Sequence, residues 1–196
     1  MVFLLGLSGS GKDTVGQEFI NKGYTRVAFA DVLKEEYAAM KGIPLESLHI
    51  QGPAKEAHRE AIIEYAETQR AIDPLHWIKK AIEPYLESHS SIREGLKLVF
   101  TDVRRRSELD WIYHIKSIED RVDEGEIISH YERARLFIVD RPGIIDNDML
   151  SHETIGYARG MQRASEFQVV DATIINDGTK EDLAKKVERL CRAYAF

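Results

Sequence analysis

Nine residues near the start constrain this chain more than any others: Gly6-Leu7-Ser8-Gly9-Ser10-Gly11-Lys12-Asp13-Thr14. They follow the apolar run Val2-Phe3-Leu4-Leu5 and precede a helical pattern. A strand, a glycine-rich loop and a helix in that order make a phosphate-binding loop of the form G-x-x-x-x-G-K-[ST]. Gly6, Gly9 and Gly11 let the backbone curl so that several N–H groups face one anion. The helix that follows adds the positive end of its dipole, and Lys12 brings a point charge to the outer phosphates. The set expected around those phosphates is Ser8, Gly9, Ser10, Gly11, Lys12, Asp13 and Thr14. The motif asks for Ser or Thr directly after the lysine, as a magnesium ligand. Here Asp13 stands in that place and Thr14 comes one position late. Asp13 either ligates magnesium through a carboxylate oxygen or holds a water of its shell. An ordinary Gly/Ser connection would need neither three glycines nor the lysine.

Strands are expected at residues 2–6, 24–29, 97–102, 135–140 and 172–176, each an apolar or β-branched run. Helical patterns separate them. Val15, Phe19 and Ile20 share a face before a stop at Gly23. Ala30-Asp31 opens a helix to about Met40, with Asp31 as its N-cap. Residues 53–70 place Ala54, Ala57, Ala61 and Tyr65 on one face. Asp73-Pro74 starts the next helix, which Pro84 should kink or shorten. Another begins near Ser107 and buries Leu109, Ile112 and Ile115, and Thr179 with Asp182 caps the last. Residues 116–134 read as an exposed helical excursion, and 141–168 as a polar, lid-like segment. Strands alternating with helices mean an α/β fold: a five-stranded parallel sheet, order 2-3-1-4-5, with helices on both faces. A chain of 196 residues fits one domain, 1–196. Within it, a helical region of about 31–90 would hold the acceptor.

Several classes are set aside. No apolar run approaches a membrane span, and the N-terminal run reads as a strand and not a leader. A lone Cys191 excludes an internal disulfide or a cysteine zinc cluster. A net charge of −6 argues against a nucleic-acid surface. The expectation is a cytoplasmic monomer or homodimer that binds ATP and a small phosphorylated metabolite, with no nucleic acid and no membrane.

Ligands of parallel sheets sit at the C-terminal strand ends. That edge should gather Lys12, Asp31, Asp102, Arg104, Arg141 and Asn176. Moving a γ-phosphoryl group needs positioning and charge neutralisation more than covalent chemistry. Lys12, Asp102, Arg104 and Arg141 are the candidate catalytic residues. Asp102 reads as a Walker-B acid, or else as a helix cap or ion-pair partner; with Asp13 it is the candidate magnesium site, directly or through water. Acceptor candidates are Asp31, Lys34, Arg59, Arg70 and Arg104, although any one arginine is as often a solvated surface residue. Arg159 and Arg163, four apart in the lid-like stretch, would share a helix face.

These pieces resemble the phage-type deoxynucleoside monophosphate kinases among the adenylate-kinase-like P-loop kinases. The resemblance lies in Gly11-Lys12-Asp13-Thr14, Phe29-Ala30-Asp31-x-x-Lys34, Asp73-Pro74-x-x-Trp77 and Thr101-Asp102-x-Arg104. It continues through Val139-x-Arg141-Pro142-Gly143, His152-Glu153-Thr154 and Ile175-Asn176-Asp177-Gly178. It implies a P-loop NTPase fold, ATP with magnesium as donor, and a (deoxy)nucleoside monophosphate as acceptor. It also implies that Asp31, Lys34, Arg70 and Arg104 face the acceptor, Arg141 the moving phosphoryl group, and the Asn176–Gly178 turn the adenine. The chain is similar too to the animal-type phosphomevalonate kinases, through the Gly-Lys-Asp loop, Leu33-Lys34-Glu35-Glu36-Tyr37, Arg70 to Pro74 and Asp102 to Arg105. The neutral Leu7-Ser8-Gly9-Ser10 is more like dephospho-coenzyme A kinases. A regulatory nucleotide-binding module without a small acceptor is the rival of another class.

Overall fold

The computed structural model describes residues 1–50, 52–88, 96–119, 134–145, 149–164 and 168–194. The chain divides into two compact units, Met1–Val27 with His89–Phe196, and Ala28–Ser88.

The first unit is built on five strands: β1 (Val2–Leu5), β2 (Thr25–Val27), β3 (Leu98–Val103), β4 (Arg135–Asp140) and β5 (Ala172–Ile175). All pairings are parallel, in the order β2-β3-β1-β4-β5. The expected α/β sheet and its order are therefore what forms. Central β1 is wholly buried, which suits an apolar run with no alternation. Its Val2 and Leu4, with Val99, Phe137, Val139 and Ile174, pack on α1 (Lys12–Ile20) and α8 (Lys180–Ala193) through Val15, Phe19, Leu183, Val187 and Cys191. On the opposite face Phe3 stacks on Phe100 and meets Trp111 of α6 (Arg106–Glu119) edge-on. Helix α7 (Met149–Ala164) completes the unit.

Helix ends follow the sequence closely. Gly23, at φ 86°, ends α1 in a Schellman turn: Tyr24 N–H donates to Phe19 and Gly23 N–H to Ile20. Thr179 and Asp182 form the expected capping box on α8. Cys191 is a buried core thiol, and burial pushes its pKa up.

The second unit holds α2 (Phe29–Lys41), α3 (Glu46–His49), α4 (Pro53–Ile72) and α5 (His76–Ser88). Across the two units the structure departs from three expectations and narrows a fourth. Phe29 opens α2 instead of extending β2, so Asp31 lies in the first turn and Ala28 is the N-cap. On α4, Ala57 and Ala61 are exposed, and the inward face is His58, Ile62, Tyr65 and Ala66. The inward stripe is therefore shifted by one position from the expected one, keeping Tyr65 and taking Ala66 in place of Ala57 and Ala61. Pro84 lies inside α5, which runs on to Ser88, so of the two effects expected of it, shortening does not occur there. Lys116, expected on an exposed excursion, is buried against Asp171. Residues 120–133 of that excursion, and 146–148 and 165–167 of the lid-like stretch, lie outside the described residues. The remainder of that stretch is mainly α7, anchored by buried Ser151, Thr154, Ile155 and Ala158.

Candidate active site

The loop after β1 has the backbone its glycines predict. Gly9 and Gly11 sit at φ 74° and 100°, in the left-handed region. Ser10 N–H closes a turn onto Leu7 O, at 3.1 Å. Gly11 is the N-cap of α1 and supplies no side chain to its first turn. Those amides stay available to an anion. Lys12 is buried, and its Nζ donates to Gly6 O at 2.7 Å and Leu7 O at 2.8 Å. The ammonium thus curls back over its own loop, on neutral acceptors that a polyphosphate would outcompete. Ser10 is also buried, and among the described residues its hydroxyl has no hydrogen-bond partner. Ser8 and Asp13 are exposed, and Thr14 is half-buried.

Neighbouring strands close around this loop. A Cβ on Gly6 would run into Val139 O of β4, so the chain leaves β1 against its neighbour. Beyond β4, Arg141-Pro142-Gly143-Ile144 makes a turn with Gly143 at φ 81°. A Cβ on Gly9 would touch Ile144 Cδ1 at 3.7 Å. The turn that carries exposed Arg141 therefore abuts the loop. From β5, Asn176 Nδ2 donates to Ser10 O at 2.9 Å.

Asp102 lies one residue from the end of β3, alongside the end of β1. It does not cap α6. Glu108 does, accepting from Arg104 N–H at 2.7 Å and Arg105 N–H at 2.9 Å. An acid at the third helical position is a readable capping signal, yet nothing in the sequence distinguishes it from its many acidic neighbours. Thr154 of α7 donates to Arg104 O. Arg104 itself is exposed, on a backbone held at both ends.

Gly178 is packed under α8, where a Cβ would meet Asp182 Oδ2 at 2.8 Å. The Asn176–Gly178 turn is further tied down by Lys186, which donates to Ile175 O and Asp177. Attraction to Lys186 holds the Asp177 carboxyl below its ordinary range, the direct hydrogen bond being the larger cause. Arg159 and Arg163 do share a face of α7. They line an open groove of about 380 Å³ with Ile138, Gln162, Val170, Ala172 and Thr173, a lining that includes no loop residue.

Of the candidates in the second unit, Asp31 and Lys34 come together at 3.5 Å, and His49 lies 3.9 Å from Asp31. Arg70 pairs with Glu67 at 3.1 Å. Arg59 is 68% exposed and lies 3.7 Å from Glu56, a solvated pair. A cluster not foreseen lies between helices: Glu36 accepts from Tyr65 and Lys80, with His76 at 3.8 Å. Burial raises the Glu36 pKa, but those bonds and the charges of Lys80 and His76 outweigh it and lower the pKa. Tyr65 is pushed up to about 12, first by that hydrogen bond and then by burial.

Among the described residues, no three His, Cys, Asp or Glu side chains converge as a metal cage. No described helix is long and apolar enough to cross a membrane.

A family model described as phosphomevalonate kinase matches residues 4–118. The chain belongs to the phosphomevalonate kinase family. The match runs from the phosphate loop through α2–α5 to β3 and α6. Of the resemblances carried by the Gly-Lys-Asp loop, the one to animal-type phosphomevalonate kinases is what this match supports. A curated phosphomevalonate kinase from Drosophila melanogaster is 27% identical over 110 residues. That alignment takes in 52% of this chain and 56% of the fly protein, so the chain spans little over half the length of its relative. Among solved structures, "Crystal structure of TT1252 from Thermus thermophilus" is 16% identical, with a TM-score of 0.44, over 98% of this chain and 96% of that one.

Proposed function

We propose that this protein transfers the γ-phosphoryl group of ATP to the phosphate of a small phosphorylated acceptor, with phosphomevalonate the first candidate. The observation that carries the reading is the donor loop: two left-handed glycines, an uncapped helix start and a buried lysine at one strand end. The family match adds the acceptor class, because it covers the helical unit as well as the loop.

In the reaction, an oxygen of the acceptor phosphate attacks the γ-phosphorus. The bond from that phosphorus to the β,γ-bridging oxygen breaks, and ADP leaves with the electron pair. A phosphate monoester has a second pKa of about 6, so the nucleophile is ionised near neutral pH and needs no strong base. The task left to the protein is to bring anions together and neutralise them. Loop amides and Lys12 would hold the β- and γ-phosphates. Arg141, on the turn beside the loop, would meet the moving phosphoryl group, and Arg104 the acceptor phosphate. Asp31, Lys34 and Arg70 are proposed acceptor contacts. Magnesium fits the carboxylates present: it takes one or two of them, shares phosphate oxygens and keeps several waters, so it needs no protein cage. Exposed Asp13 and half-buried Asp102 would hold it through those waters, and the ion would offset charge between the β- and γ-oxygens.

The test is ATP consumption by purified protein against phosphomevalonate, nucleoside and deoxynucleoside monophosphates, and dephospho-coenzyme A. Phosphomevalonate-dependent ADP release supports the reading. Turnover confined to a nucleoside monophosphate would move the acceptor to the phage-type class. Release no faster than without acceptor would remove the kinase and leave a nucleotide-binding module.

A further inference from the structure

Asn176 reaches across from the end of β5 and is fixed at both ends. Its backbone N–H donates to Asp140 O at 2.6 Å, and its side-chain Nδ2 donates to Ser10 O at 2.9 Å. Gly11 follows at φ 100°, and a Cβ there would collide with that same amide nitrogen. Glycine at position 11 is thus required twice, by the backbone and by the amide packed against it. The consequence lies in the peptide between Ser10 and Gly11. A trans peptide is planar, and its C=O and N–H point to opposite sides. Turning Ser10 O toward Asn176 turns the Gly11 N–H to the opposite side, away from the amide. Reversing this peptide would present a carbonyl to an incoming anion.

We propose that Asn176 is a positioning residue that locks the Ser10–Gly11 peptide with its donor toward the phosphates. The loop's affinity for polyphosphate then depends on a side chain that need touch no ligand. The inference rests on the loop being the triphosphate site. It departs from an adenine contact, the role the resemblance gives this turn, because an adenine contact would be felt only by a ligand that carries the base.

The experiment is calorimetric titration of the full chain with ATP and, separately, with inorganic tripolyphosphate, each with magnesium. It compares wild type with Asn176→Ala and Asn176→Asp; the aspartate keeps the shape but cannot donate. Circular dichroism and thermal melting establish that each variant is folded. We expect Kd to rise about tenfold for both ligands alike in the alanine variant, the equivalent of one hydrogen bond, and at least as far in the aspartate variant. A folded variant of either kind that binds both ligands like wild type overturns the proposal. So does a loss seen with ATP and not with tripolyphosphate, which would make Asn176 a base contact. Wild type binding ATP but not tripolyphosphate would show that the base supplies the affinity, and that too overturns the proposal. Wild type binding neither overturns the nucleotide-site reading itself, and this inference with it.

Discussion

The hydroxyl of Thr154 donates to the carbonyl oxygen of Arg104 at 2.6 Å, joining α7 to the end of β3. Glu108 holds the Arg104 N–H from the other side. The backbone of an exposed arginine is therefore clamped by two buried side chains, Thr154 at 0% and Glu108 at 5% exposure. A long, flexible cation can be aimed at an acceptor only if its backbone does not move, and these two bonds supply that.

Replacing Thr154 by valine keeps the volume and removes the donor. The Arg104 carbonyl loses its partner, at about 1–2 kcal/mol of folding stability. If Arg104 meets the acceptor, the acceptor KM should rise several-fold while the KM for ATP stays within twofold. Steady-state kinetics in each substrate would check this. A destabilised variant whose two KM values both stay at the wild-type level would assign Thr154 to stability alone.

Lys12→Met removes the buried ammonium and leaves an apolar side chain in its place. Gly6 O and Leu7 O lose a donor, so some stability is lost, but the sheet beneath is unaffected. The expected fall in turnover is about 100- to 1,000-fold, the scale for removing one electrostatic group at a transferring centre. Measuring kcat with circular dichroism in parallel separates lost chemistry from lost fold. A folded variant with near-normal turnover would end the loop's assignment as the donor site.

The fold is legible in the sequence because its signals are local and periodic. Apolar runs mark the strands, Gly23 and Thr179 mark helix ends, and the alternation of strands and helices leaves few topologies. The loop is legible for a different reason: left-handed positions at Gly9 and Gly11 leave glycine as a mark in the sequence. Where the deciding partner is distant in the chain, the sequence misleads. Lys116 reads as solvated because nothing nearby shows Asp171, fifty-five residues on. The Glu36 cluster is invisible for the same reason, since Tyr65 and Lys80 lie on other helices. Asn176 stands out in its turn, but its bond to Ser10 spans 166 residues and no spacing could reveal it. Asp31 reads as a cap because an acid is favoured both at the cap and in the first turn, and the true N-cap, Ala28, three residues earlier, carries no capping side chain.

Tyr65 should make the protein sensitive to alkali in a defined window. Its pKa is raised from the usual 10 to about 12 in the fold, chiefly by donation to Glu36. A phenol harder to ionise in the folded state contributes stability that is complete below pH 10. That contribution falls as pH rises and is gone above about 12. The drop in urea midpoint between pH 8 and pH 11 should therefore be smaller in Tyr65→Phe, which lacks the linkage, than in wild type. Tyr157 and Tyr194 are raised too, but they persist in the variant and cancel in the comparison. Identical alkaline slopes for the two proteins would refute the Tyr65–Glu36 bond.

The Lys116–Asp171 pair gives the sharpest test of what holds the first unit together. Both side chains are almost wholly inaccessible, at 5% and 6%. Asp171 also accepts from Leu136 N–H at 2.7 Å and lies 3.7 Å from Arg135 Nε, so one carboxylate ties α6 to the start of β4. Lys116→Met would take the ammonium from that buried carboxylate and leave it Leu136 N–H and the more distant Arg135, at a cost of about 3 kcal/mol, the lower end for breaking a buried pair. The double variant Lys116→Met/Asp171→Asn removes that charge yet keeps an oxygen for Leu136 N–H, so it should be more stable than the single one. Chemical denaturation of the set reads this directly, and the sign of the difference decides the question. If the double variant is the less stable, Asp171 acts mainly through Arg135 and Leu136, and the buried pair is incidental.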